Sequence, residues 1–214
     1  MRIPVMIVRV RAVGPFAMNC TLVVCERTRE AIVVDPGDEP EVIEKMIERD
    51  GAKVKALIGT HGHMDHVSAA EPMRKRLGVP FLLHKADLSW IEMLPRQAMM
   101  FGVDVPEVPT VDGFLEDGKT IEVGDLRFEV RHTPGHTEGG VTLVGEGVAI
   151  VGDCVFLGSI GRTDLPGGNH ETLLRSIKTR ILDLPDDTVI HCGHGPKTTV
   201  GAERRSNPFL SGGA

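Results

Sequence analysis

No run of about 18 consecutive apolar residues occurs anywhere in the 214-residue chain, so no segment is expected to cross a bilayer as a helix. Basic clusters are also missing. Lys and Arg number 24 against 30 Asp and Glu, a formal net charge of −6. Nucleic acid is therefore not an expected partner on electrostatic grounds. The N-terminal stretch MRIPVMIVRVRAVG carries Arg2, Arg9 and Arg11 within its apolar part. A secretory signal needs an unbroken apolar centre, so this segment reads as an edge strand and a cytoplasmic location is expected. Cys20, Cys25, Cys154 and Cys192 form no C-x-x-C pair. The first two lie too close in one strand-like run to bridge, and all four are expected to be reduced core residues. No G-x-x-x-x-G-K occurs, so the glycines of TEGGV and PGGNH read as turn formers rather than a phosphate cradle. There is no internal repeat, low-complexity tract or linker.

What remains is a regular alternation of Val/Ile/Leu runs and helical patterns, read as a single α/β domain over 1–214 with two sheets and outer helices. TLVVCE, AIVVDPG, VKALIGT and VPFLLHK predict strands, as do KTIEV, LRFEVRHT, VTLVGEG, VAIVGD and TVIHCGHG. EPEVIEKMIERDG places Val42, Ile43, Met46 and Ile47 at helical spacing and stops at Gly51. VSAAEPMRKRLG and HETLLRSIKTRILDLP predict further helices, and a methionine-rich helix over 87–101 is read as core or groove lining. Residues 102–118, punctuated by Gly and Pro, are expected to form a loop.

GTHGHMDHVSAA packs three histidines and an aspartate into six positions. It follows a predicted strand, and so do His136, Asp153 and His194. Loops at strand ends can converge while the sheet holds them. Neutral imidazole and carboxylate suit zinc, iron or manganese. His61 and His63 can point the same way from an extended loop, and the turn carrying Asp65 and His66 can aim them at a neighbouring point. Two centres on one loop are therefore expected, completed by His136 and His194 and bridged by Asp153. The charge count agrees. Two divalent ions against Asp65, Asp153 and a shared hydroxide leave a small positive charge, whereas the same groups without metal would be costly to bury. His84, His132, His170 and His191 are expected to be packed or solvated instead. On the residues alone, Asp35 reads as a turn carboxylate.

THGHMDH, followed in order by TPGHT, VGD and GHG, resembles the metallo-β-lactamase superfamily across nearly the whole chain. The chain is most similar to glyoxalase II, the hydroxyacylglutathione hydrolases, in their short single-domain form; GSIGRTDLPGG and GHGPKTTVGAERRSNPFL carry that likeness. The resemblance implies an α/β four-layer αβ/βα sandwich of two mixed β-sheets with outer helices. It implies one metal on His61, His63 and His136, a second on Asp65, His66 and His194, and Asp153 between them. Asp35 would orient a ligand from behind. Arg162 and Asp164 would either shape the substrate mouth, with Arg162 binding substrate, or pair and pin a loop, the pinning role being favoured. The cofactors implied are two divalent ions, zinc first, with iron or manganese as alternatives. The activity implied is hydrolysis of a small thioester such as S-lactoylglutathione by a metal-bound hydroxide. The helical region that grips glutathione in larger members is not expected here. The alternative is a persulfide dioxygenase of the same fold, with one iron on His61, His136 and Asp153. A non-catalytic scaffold would lack ligands, and all seven are present; lactamase activity is set aside on the expected location and the tail. Neither membrane nor nucleic acid is an expected partner, and no pattern signals an oligomeric state.

Overall fold

In the computed structural model, which describes residues 5–210, the first sheet is built from six strands. In spatial order they are β1 (Met6–Val13), β2 (Met18–Cys25), β3 (Glu30–Val34), β4 (Lys53–Ile58), β5 (Phe81–His84) and β6 (Gly113–Leu115). The first three pair antiparallel and the last three join in parallel. A second mixed sheet has the order β14 (Thr198–Thr199), β13 (Val189–Cys192), β10 (Val148–Gly152), β9 (Val141–Gly145), β8 (Leu126–His132), β7 (Thr120–Val123). A small hairpin, β11 (Val155–Phe156) and β12 (Ser159–Ile160), stands apart from both.

Period-two alternation of side chains explains the layering. In β2 and β3, Leu22, Val24, Ala31 and Val33 face the helices, while Val23, Cys25, Ile32 and Val34 face the second sheet. In β10, Val148 and Ile150 face the first sheet, and Ala149 and Val151 face outward onto Leu173 and Ile177. Sheets buried on both faces need continuous apolar strands, which is why VVC, IVV and VAIV read as unbroken runs. The result is a four-layer αβ/βα sandwich. On the first sheet lie α1 (Pro40–Arg49), α3 (Ala70–Leu77), α4 (Leu88–Glu92) and α5 (Leu94–Phe101), after the single turn α2 (Met64–Val67). The second sheet is covered by α6 (His170–Arg180) and α7 (Val200–Ser206).

β1 is the edge strand expected from the N-terminal sequence, although Arg2 lies outside the described residues. The expected helix over 87–101 is instead two helices meeting at Met93, because Pro95 in the first turn of α5 cannot donate back into α4. The 102–118 loop contains β6, three residues paired parallel to β5 and too short for its alternation to stand out. The last predicted helix stops at Arg180 rather than reaching Pro185. All four cysteines are buried and unbridged, as expected. Burial pushes the Cys154 and Cys192 thiols up to about 12, which leaves them inert at neutral pH.

Candidate metal centre

β4, β8, β10 and β13 all deliver polar residues to one end of the sandwich. His61 and His63 follow β4, His63 in extended backbone just before α2, and α2 then turns Asp65 and His66 onto a neighbouring point. The structure brings together all seven residues singled out by the sequence pattern. His61, His63 and His136 form one donor group; Asp65, His66 and His194 form another; and Asp153 groups with His61 and His66.

Hydrogen bonds on the far side of each ring decide which nitrogens face inward. His136 Nδ1 lies 2.8 Å from the carbonyl of Arg162, and His194 Nδ1 lies 3.2 Å from that of Phe16. Carbonyls only accept, so both Nδ1 atoms carry a proton, and in the neutral ring each Nε2 is then the lone pair that faces the centre. His66 Nδ1–H donates to Asp35 Oδ2 at 2.9 Å. Thr60 Oγ1 spends its hydrogen on Asp35 Oδ2 at 2.8 Å and so accepts from His61 Nδ1–H at 3.1 Å. His63 Nδ1 then sits 3.1 Å from His61 Nε2 and 2.9 Å from His136 Nε2. It can donate to at most one of them, so at least one pair of lone pairs faces across contact distance. Around a tetrahedral ion with bonds of about 2.0–2.1 Å, donors stand about 3.3 Å apart, close to this spacing. His63 Nε2 is buried with no hydrogen-bond partner, and buried His66 Nε2 and Asp153 Oδ1 have none but each other, at 3.3 Å. The donor set fits cations and fits a proton network poorly.

The carboxylates concentrate on the second group. Asp65 Oδ2 is 3.1 Å from His194 Nε2 and 3.7 Å from His66 Nε2. Asp153 reaches His66 Nε2 at 3.3 Å, His194 Nε2 at 3.6 Å and His136 Nε2 at 3.7 Å. Burial, with the neighbouring His66 and His63 adding to it, holds His61 well below the usual histidine range. Burial and His136 push His63 down to about 3. At His66 burial opposes a cation, yet Asp153, Asp65 and Asp35 together hold its pKa well above the ordinary value. One half of the centre is therefore kept neutral and proton-poor, and the other attracts positive charge.

Asp35 leaves β3 with φ 54, a left-handed conformation that Asp tolerates. That turn lets its Oδ1 accept from Thr60 N at 2.6 Å while Oδ2 serves His66 and Thr60 Oγ1. Arg162 pairs with Asp164 through two bonds of 2.7 and 2.8 Å, the pinning arrangement, and also lines the cavity over the centre. That cavity, about 400 Å³, opens over His63, Asp65, His136, Asp153 and His194 and is walled by Phe16, Trp90, Met93, Met100 and Phe101. His84 and His132 stack on each other 4.3 Å apart and belong to none of these groups. Half-buried His191 and exposed His170 also lie outside them.

Sequence reasoning missed Asp87, which is fully buried. Its carboxylate accepts from Gly62 N at 2.8 Å, Gly139 N at 2.6 Å and Thr137 Oγ1 at 2.8 Å. It thus ties the His61–His63 loop to the His136 loop, and a Cβ at Gly139 would strike it. Burial pushes its pKa up, while Thr137, Gly62 and Gly139 pull against that shift. Asp87→Ala is expected to cost about 2–4 kcal/mol in denaturant unfolding and to weaken metal retention about 10–100-fold. Competition against a chelator measures the second effect, and wild-type retention there would dismiss Asp87 as an organiser of the centre.

Residues 13–194 match the family model of the metallo-beta-lactamase superfamily. Over 208 residues the chain is 41% identical to "Hydroxyacylglutathione hydrolase GloC" of Haemophilus influenzae, covering 93% of this chain and 95% of that protein. Among solved structures it is similar to TTHA1623 in a di-iron-bound form, at 38% identity and a TM-score of 0.85 over 98% of this chain and 100% of the other. BLEG-1, described as a B3 metallo-beta-lactamase, is similar at 35% identity and a TM-score of 0.90 over 96% and 100%. Among the described residues no helix is long and apolar enough to cross a membrane.

Proposed function

The chain belongs to the metallo-beta-lactamase superfamily, and from that premise we propose that it hydrolyses a small thioester such as S-lactoylglutathione, using a pair of divalent ions held by seven side chains. His61, His63 and His136 would hold one ion and Asp65, His66 and His194 the other, with Asp153 in reach of both groups. The observation that carries this reading is the second donor group, complete in itself and joined to the first through Asp153. A single-iron dioxygenase site would need only His61, His136 and Asp153. When bound, such ions bring the pKa of coordinated water to about 7 and polarise a carbonyl oxygen.

The protein's own groups do the rest. Asp35, Thr60 and the carbonyls of Arg162 and Phe16 hold four imidazoles in the tautomer that presents Nε2 inward. Trp90 meets His63 edge-on at 4.4 Å and, with the phenylalanine and methionine wall, limits water at the reacting carbonyl. A thiol leaves readily as thiolate, so no side-chain acid is needed, in keeping with a cavity that has none to spare. Similarity to the Haemophilus influenzae hydrolase supports glutathione as thiol carrier. Zinc is the proposed metal; the di-iron form of TTHA1623 makes iron the alternative.

Purified protein is expected to release thiol from S-lactoylglutathione and to carry two metal ions per chain by elemental analysis. One iron per chain with oxygen uptake on glutathione persulfide would replace this reading by the dioxygenase. The BLEG-1 similarity favours a second reading, β-lactam hydrolysis, and nitrocefin turnover faster than thioester turnover would establish it.

A further inference from the structure

One face of α5 forms a wall of the cavity. Met93, just before the helix, is followed on that face by Arg96, Gln97, Met100 and Phe101, the i, i+3, i+4, i+7, i+8 spacing of a single stripe. Gln97 locks the stripe to the metal loop. Its Oε1 accepts from Met64 N at 2.9 Å and its Nε2 donates to the Trp90 carbonyl at 2.9 Å. At the far end Phe101 meets Phe16 edge-on at 5.3 Å. This anchors the backbone of α5 beside the cavity that Arg96 lines.

Two guanidinium groups line this cavity. Arg162 is matched by Asp164 through two hydrogen bonds. Arg96 is exposed, and among the described residues no carboxylate lies within ion-pair distance of it. A cation without a carboxylate partner, on a wall otherwise made of methionine, phenylalanine and one amide, is a local exception in a chain of net charge −6. Its five-donor fork suits a carboxylate or phosphate oxygen pair. The flanking methionines offer an adaptable surface that selects by charge rather than by shape.

We propose that Arg96 binds an anionic group, carboxylate or phosphate, on the thiol carrier of the substrate, whose uncharged part lies along Met93, Met100 and Phe101. This rests on the thioester reading above and names the feature of the carrier that the site selects. A neutral thioester gains nothing from the arginine, and an anionic one is oriented with its carbonyl toward the metal loop.

The test uses thioethers, which bind without being cleaved. They are S-hexylglutathione with carboxylates, S-hexyl-coenzyme A with phosphates, and uncharged S-hexyl-N-acetylcysteamine. Calorimetry on metal-loaded protein is expected to show Arg96→Gln weakening an anionic probe about tenfold, with Arg96→Lys recovering part of the loss. Added salt should weaken that probe and spare the uncharged one. A loss seen only with S-hexylglutathione assigns the anion as carboxylate, and one seen only with S-hexyl-coenzyme A assigns it as phosphate; either upholds the site. Equal affinity of wild type and Arg96→Gln for both anionic probes overturns it. Arg96-dependent binding by a protein that turns over no thioester would sink the hydrolase reading and keep the anion site.

Discussion

Asp153→Ala is expected to lower thioester kcat/KM by at least about 10³-fold and to reduce bound metal below two ions per chain. Asp153 is the carboxylate that approaches histidines of both donor groups, at 3.3 and 3.6 Å on one side and 3.7 Å on the other. Removing it leaves each group with three donors and no shared anion. Its backbone lies in the turn after β10, so alanine fits without altering the sheet. Far-UV circular dichroism should therefore be unchanged while elemental analysis and turnover both fall. Activity above a tenth of wild type would show that the two groups do not depend on a common carboxylate.

The second large effect is expected from a residue with no side chain. A Cβ at Gly193 would fall on Asp153 Oδ1 and within 2.8 Å of His66 Cε1. The backbone cannot retreat, because Gly193 N donates to the Gly152 carbonyl at 2.7 Å and its own carbonyl accepts from Asn19 N at 2.7 Å. No left-handed φ is involved, so Gly193→Ala carries no backbone strain and its cost falls on the centre. We expect a loss of about 10²-fold in kcat/KM together with weaker metal retention, while the midpoint of thermal unfolding of the metal-free protein moves by only a few degrees. Wild-type metal content and turnover in this variant would mean that the Asp153 carboxylate can sit elsewhere and still serve.

Much of the molecule is legible in the linear pattern. Unbroken apolar runs mark strands buried on both faces, and the arginines of β1 mark an edge. The position of each polar cluster after a strand places it at one end of the sandwich. Failures occur where a local rule meets a distant partner or a short element. β6 exists because Leu83 and its neighbours offer it a parallel edge, and the break at Met93 follows from a proline whose effect the methionine spacing masks. Asp87 looks like any turn acid, since its partners Gly62, Thr137 and Gly139 stand 25, 50 and 52 residues away.

By itself the sequence determined the chemistry on offer: five imidazoles and two carboxylates at strand ends, two imidazoles and a carboxylate-bearing turn in one short loop, and a methionine-rich helix nearby. Those features are local, set by residue type and by spacing over a few positions. Only the tertiary structure decided which ring nitrogens face each other and which arginine is left unmatched at the cavity. Tautomer and charge balance depend on carbonyls and carboxylates from other segments, and chain folding alone brings those within hydrogen-bonding reach.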